Sequence, residues 1–228
     1  MLIPVATNIW VAEGEASLPG GFKMPGRMTI IRLENGELMV ISPIMANDDL
    51  FNEVNHLGEV KHVIAPNGMH HLYFKDFALN YPKAETWAPL ELHAKRSDIR
   101  FTKNLSDLEF HPWKDEVEVF SVKANAPVFE EITFFHKLSE TLIVTDLFFN
   151  WHKFPNTFYK LFSKVNGAYK KLEITKIGRK SFTHTISLKG LLNQVQQWSP
   201  KTLIIAHGDI VYEDTLNKVT AALKKVLN

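Results

Sequence analysis

The sequence predicts an α/β fold, and three observations carry that prediction. Apolar runs of strand length, rich in Val, Ile and Phe, recur along the whole chain. Between them lie stretches whose apolar residues recur at helical spacing, often opened by Asn or Asp and closed by Gly or Pro. Strand-like and helix-like stretches interleave without a linker, a repeat or a low-complexity tract, so residues 1–228 read as a single domain.

The elements follow in order. "TNIWVAEGE" and "MTIIRLENGELMVISPI" are strand-like, and Asn35-Gly36 between two apolar runs in the second is a tight-hairpin signal. In "NDDLFNEVNHLG" either Asn47 or Asp48 caps a helix, Leu50, Val54 and Leu57 share a face, and Gly58 ends it. "EVKHVIAP" is a buried-type strand that turns through Pro66-Asn67-Gly68. It delivers His70 and His71 to "HHLYFKDFALNYP", where Leu72, Phe74, Phe77 and Ala78 stand at roughly helical spacing. "AETWAP" is a further strand. The second half repeats the pattern: strands "DEVEVFSV", "EEITFFH" and "ETLIVTDLFF", a helical, aromatic and basic segment over 150–172, and a helix "SLKGLLNQVQQWSP" stopped by Pro200. The strand "KTLIIAHGDIV" then runs into a His-Gly turn, and the last helix carries Leu216, Val219, Leu223 and Val226 on one face.

Composition narrows the chemistry. The chain is 45% hydrophobic and 22% charged, as ordinary globular proteins are. Its formal charge of +1 gives no overall field toward nucleic acid or an anionic membrane, so neither is expected as a partner. With no cysteine there is no disulfide or thiolate site, and a metal would have to be held by His, Asp, Glu or water. The N-terminus has no signal-peptide pattern and no apolar run reaches the roughly 20 residues of a membrane helix, so the expected compartment is the cytoplasm. GxGxxG, Walker and GxSxG motifs are absent from the sequence.

On these residues the chain resembles the metallo-β-lactamase superfamily. The order matches: N-terminal hairpin, helix, a strand running into a ligand turn that opens a helix, a later strand ending in Asp, and a late strand ending in His-Gly. More narrowly, "RMTIIRLENGELMVISPI", "APNGMHHLYF" and "LIVTDLFFN" resemble an uncharacterised branch of it, a domain of unknown function. The resemblance implies a four-layer αβ/βα sandwich. It also implies a His-x-His-x-Asp-His turn, whose positions fall here on Pro66, Gly68, His70 and His71. The third-motif histidine falls on or beside Asn125, the bridging aspartate on Asp146 and the terminal histidine on His207.

All three histidines of the first metal position are therefore replaced, whereas the second keeps His71, Asp146 and His207, with His70 an added nitrogen donor. Such a set suits one divalent transition metal, zinc or else iron or manganese. The implied function is metal-dependent hydrolysis of an ester, thioester, amide or phosphodiester in some small molecule. His71, Asp146 and His207 would be ligands and His70 a fourth ligand or a proton shuttle; His70 and Asp146 are thus the candidate catalytic residues. The alternative is a metal-free scaffold that kept the fold and binds a small ligand or a protein partner without catalysis.

Other residues read more plainly. Glu130 and Glu131 read as solvent-facing strand residues, with one of them facing the site as a base or extra ligand as the other reading, and His56, His62, His93, His111, His136, His152 and His184 read as surface or packing residues. Phe148, Phe149, Trp151, Phe154, Phe158, Tyr159 and Phe162 read as aromatics buried against a sheet, with a lid over the site as the other reading. From Lys160 to Lys180 there are seven Lys or Arg against one acid, Glu173, which reads as a solvated basic face, with attraction of an anionic ligand or nucleic acid as the other reading.

Overall fold

A computed structural model describes residues 1–17, 23–107, 109–124, 130–182 and 185–228. The chain divides into two compact units, residues 1–116 and 117–228. Asn125 and His184 lie outside the described residues.

The N-terminal unit is built on a seven-stranded sheet whose order in space follows the chain. Strands β1 (Ile3–Ala6), β2 (Ile9–Ser17), β3 (Lys23–Arg32) and β4 (Glu37–Ile41) pair antiparallel. The β3–β4 turn falls at Asn35-Gly36 as expected, with Gly36 at φ +84°, a conformation glycine adopts without strain. After α1 (Asp48–Leu57) the sheet continues parallel through β5 (Glu59–Ile64), β6 (Glu85–Ala88) and β7 (Lys103–Asn104), with α2 (Phe74–Leu79) and α3 (Leu90–Lys95) between them. Of the two candidate caps, Asn47 is used: its side chain accepts from the Leu50 amide. Leu50, Val54, Val63, Phe74 and Phe77 join Met28, Ile30 and Val40 in this unit's core.

A second buried cluster here is aromatic. The His62 ring meets Trp113 at 4.8 Å and Trp87 at 6.1 Å, and His111 stacks on Trp113 at 5.1 Å. Burial pushes the His62 pKa down to about 4, outweighing the carboxylates of Glu85 and Glu37, which act to raise it. Between pH 6.5 and 4 the unfolded chain therefore binds a proton that the folded chain refuses. Stability from this group is complete above about pH 6.5 and drains away as pH falls, by about 3 kcal/mol at pH 4. His62→Gln should flatten the loss of urea-unfolding free energy between about pH 7 and pH 4.5; a variant as acid-sensitive as its parent would show that His62 does not titrate this way.

The C-terminal unit has a four-stranded sheet in the order β13-β10-β9-β8, where β8 is Val117–Lys123, β9 Glu130–His136, β10 Thr141–Ile143 and β13 Thr202–Ile204. β8, β9 and β10 pair antiparallel, whereas β10 and β13 run parallel. The connection from β10 to β13 passes through β11 (Phe149–Asn150), α4 (Thr157–Asn166), β12 (Leu172–Glu173), α5 (Lys176–Ser181) and α6 (Thr185–Trp198), and α7 (Thr215–Leu227) closes the chain. Leu188, Leu191, Val195, Val219 and Leu223 of α6 and α7 pack with Val122, Phe135, Leu142 and Leu203 of the sheet.

The segment 150–172 is not one helix. Phe149 and Asn150 pair with Glu173 and Leu172 as a two-stranded ribbon, and α4 occupies only the middle. Asn156 caps its start by accepting from the Tyr159 amide, and Gly167, at φ +85°, ends it. The aromatic stretch divides as well. Phe148, Trp151 and Tyr159 are buried, but Phe158 is exposed.

Candidate metal centre

The C-terminal unit brings two of the candidate ligands together, and strand register explains how. In the parallel β10–β13 pair Ile143 lies opposite Ile204. Asp146 and His207 each follow three residues later, so the register delivers both side chains to the same sheet edge. His207 Nε2 stands 3.1 Å from Asp146 Oδ1. That separation suits a hydrogen bond, and it suits equally two donors each about 2.0–2.2 Å from one cation.

Each member of the pair is held from behind. The Val144 amide donates to Ile204 O and extends the ladder past Ile143. Beyond it a side chain takes over. Glu131, on β9, is fully buried, and its Oε1 accepts from the Thr145 amide at 2.6 Å, the Thr145 hydroxyl at 2.8 Å and the Asp146 amide at 3.1 Å. The expectation that Glu131 faces solvent is thus corrected: β9 is buried on both faces, and the carboxylate is compensated by the donors of the Asp146 turn. Glu130, half-buried, accepts from the Ser121 hydroxyl on the neighbouring strand.

His207 is buried and its ring stacks on Phe149 at 5.2 Å with 18° between planes. The next residue, Gly208, has φ +129°, and a Cβ there would lie 2.3 Å from Asn150 O. Asn150 in turn donates through Nδ2 to Asp209 O, and Asp209 accepts from the His152 and Lys153 amides. The turn carrying His207 is therefore laced to β11. His152 contacts Asn150 Oδ1, and His136 is buried with Nδ1 2.7 Å from Ser139 Oγ, so both act in local packing.

The N-terminal unit holds the other two candidates at the end of β5. Asn67 is fully buried, and its Oδ1 accepts from the Met69 and His70 amides, which fixes the turn that lifts both histidines. α2 begins only at Phe74, so the imidazoles sit on this turn ahead of the helix. His70 Nδ1 lies 2.6 Å from the Ser42 hydroxyl. When Nδ1–H donates to Ser42, the neutral ring carries its lone pair on Nε2.

His71 differs. The Arg96 guanidinium donates to its Nδ1 at 2.7 Å. Burial first, and then the charges of Lys95 and Arg96, hold its pKa down near 4. A neutral imidazole that accepts at Nδ1 carries its proton on Nε2, so in this arrangement His71 is a donor and offers no lone pair. Arg96 lies 25 positions from His71, and nothing in the sequence marks the pairing.

Residues 6–180 match the model of a family described as "Domain of unknown function (DUF4336)". No curated protein matches the sequence. Among solved structures the chain is similar to a metallo-β-lactamase from Hirschia baltica, at 12% identity and a TM-score of 0.64, over 98% of this chain and 97% of that one. It is similar also to one from Pontibacter korlensis, at 10% identity and a TM-score of 0.65, over 98% of each chain. The mono-zinc form of the metallo-β-lactamase FIM-1 from Pseudomonas aeruginosa matches at 10% identity and a TM-score of 0.62, over 100% and 96%. The mixed α/β fold is thus that of the metallo-β-lactamases, as the resemblance implied. Among the described residues no helix is long and apolar enough to cross a membrane.

Proposed function

The chain belongs to the family described as "Domain of unknown function (DUF4336)", and from that premise we propose that it is a metal-dependent hydrolase with one metal per molecule. The metallo-β-lactamase fold supplies a metal-dependent, hydrolase-like scaffold. The observation that carries the finer reading is the contact of Asp146 with His207 at 3.1 Å, produced by equal offsets from a paired register.

The pair fits a hard or borderline divalent cation: an imidazole and a carboxylate, with no thiolate in the chain. Such a cation supplies Lewis acidity, activating water near neutral pH and drawing charge from a scissile carbonyl or phosphoryl oxygen. The protein's own groups do the rest. Asp146 provides the compensating charge, and Glu131 fixes the backbone on which it sits. Phe149 restricts the His207 ring, and Ser42 sets the His70 tautomer. Zinc is the metal we propose, and the substrate is a small molecule carrying an ester, thioester, amide or phosphodiester.

Elemental analysis of protein purified without chelator tests this directly. About one divalent metal per chain is expected, falling to background in Asp146→Asn and His207→Ala. A chelator should lower the unfolding midpoint of the parent, because metal bound only to the folded state stabilises it by mass action. Metal-free protein whose midpoint ignores both chelator and added zinc, with Asp146→Asn as stable as its parent, would leave the non-catalytic scaffold. Two metals per chain would defeat the single-site reading.

A further inference from the structure

The net charge of +1 conceals a strong partition. Residues 150–208 carry ten Lys or Arg and a single acid, Glu173, so the rest of the chain has 26 − 10 = 16 basic residues against 25 − 1 = 24 acidic ones. Glu173 is itself buried and paired with Lys171, Arg179 and Lys225, which leaves the lysines of α4 without a neutralising carboxylate in this segment.

α4 turns part of its apolar surface outward. A surface helix of a globular protein turns its apolar stripe inward. Here Ser163 and Asn166 are buried beside Tyr159, their side chains donating within the helix to Lys160 O and Phe162 O. Three of its apolar residues face water, Phe158 49% exposed, Leu161 61% and Val165 58%, whereas Phe162 is half-buried. Their spacing of three and four residues places them in one row. Lys160 and Lys164, four apart, form a second exposed row alongside. An apolar row flanked by lysines, within a segment almost free of acids, matches in shape and charge the boundary between anionic lipid headgroups and acyl chains.

We propose that α4 docks the protein on an anionic lipid surface, with Phe158, Leu161 and Val165 entering the interface and Lys160 and Lys164 meeting headgroup phosphates. The apolar row argues for lipid over nucleic acid, which would use the lysines and leave Leu161 and Val165 in water. This reading is independent of whether the chain binds metal.

Sedimentation with vesicles tests it. The protein should partition onto phosphatidylcholine vesicles containing phosphatidylglycerol and not onto pure phosphatidylcholine. The partition should collapse at about 1 M salt, where the Debye length is about 3 Å. Lys160→Gln with Lys164→Gln should weaken it about 25-fold, at about fivefold per lysine. Phe158→Ser with Leu161→Ser should weaken it about tenfold or more. Both pairs change exposed side chains, and each should keep the parental unfolding midpoint. Equal binding to both vesicle types, or binding untouched by the apolar pair, would overturn the proposal. So would self-association without vesicles that Phe158→Ser with Leu161→Ser abolishes, since a second copy of the chain would then be what covers the stripe.

Discussion

Gly208→Ala should destabilise the protein by about 3 kcal/mol or more, a fall in midpoint of roughly 6–12 °C for a chain of this size. Two penalties coincide at this residue. Its φ of +129° is one that side chains rarely adopt, and the added Cβ would stand 2.3 Å from Asn150 O, a backbone atom that accepts from the Asp209 amide. The collision has to be relieved by parting the His207 turn from β11, so metal content should fall together with stability. Gly167→Ala is the control. It has φ +85° but nothing within 4 Å of the new Cβ, so only the left-handed penalty of about 1 kcal/mol applies. Equal midpoints for the two variants, read by thermal unfolding, would show that the 207–209 turn yields at no cost.

Glu131→Leu should be nearly as damaging, at about 3–5 kcal/mol, whereas Glu131→Gln should cost about 1 kcal/mol. The leucine fills the space but strands the Thr145 amide, the Thr145 hydroxyl and the Asp146 amide among buried residues. Glutamine keeps one carbonyl oxygen where Oε1 sits, and that atom accepts all three of those bonds. Metal content should track the same order, lost with Leu and kept with Gln, because the acceptor and not the charge holds the Asp146 turn. Loss of metal in both variants would mean that the negative charge of Glu131 itself contributes to the centre.

The residues that carry these effects were unequally visible in the sequence. Asp146 and His207 are legible because each ends an apolar run, and a carboxylate or imidazole in that place needs a compensating group. Their common offset is not legible, since the pairing of β10 with β13 spans the whole α4–α6 excursion. Glu131 was misread for a definite reason: an acid at the start of a strand looks solvent-facing until the strand proves to be covered on both sides. The limits of α4 stood in plain view as Asn156 and Gly167, the same kinds of start and stop signal that delimit α1, but the aromatic and basic residues on either side extended the helical pattern past them. His71 was read by its neighbour in sequence, whereas its chemistry is set by Arg96.

The equal offsets beyond Ile143 and Ile204 also bear on which lengths of this chain are free to change. Adding or deleting one residue in either three-residue spacer would put Asp146 and His207 out of step by about 3.3 Å, the rise of one extended residue. A length change in the loops between residues 151 and 201 leaves both spacers and the β10–β13 pairing untouched. Insertions should therefore be tolerated in the loops of that long excursion and not in the two short spacers. The spacers act as a gauge, and the excursion as the part of the chain where new surfaces can be tried without disturbing the centre.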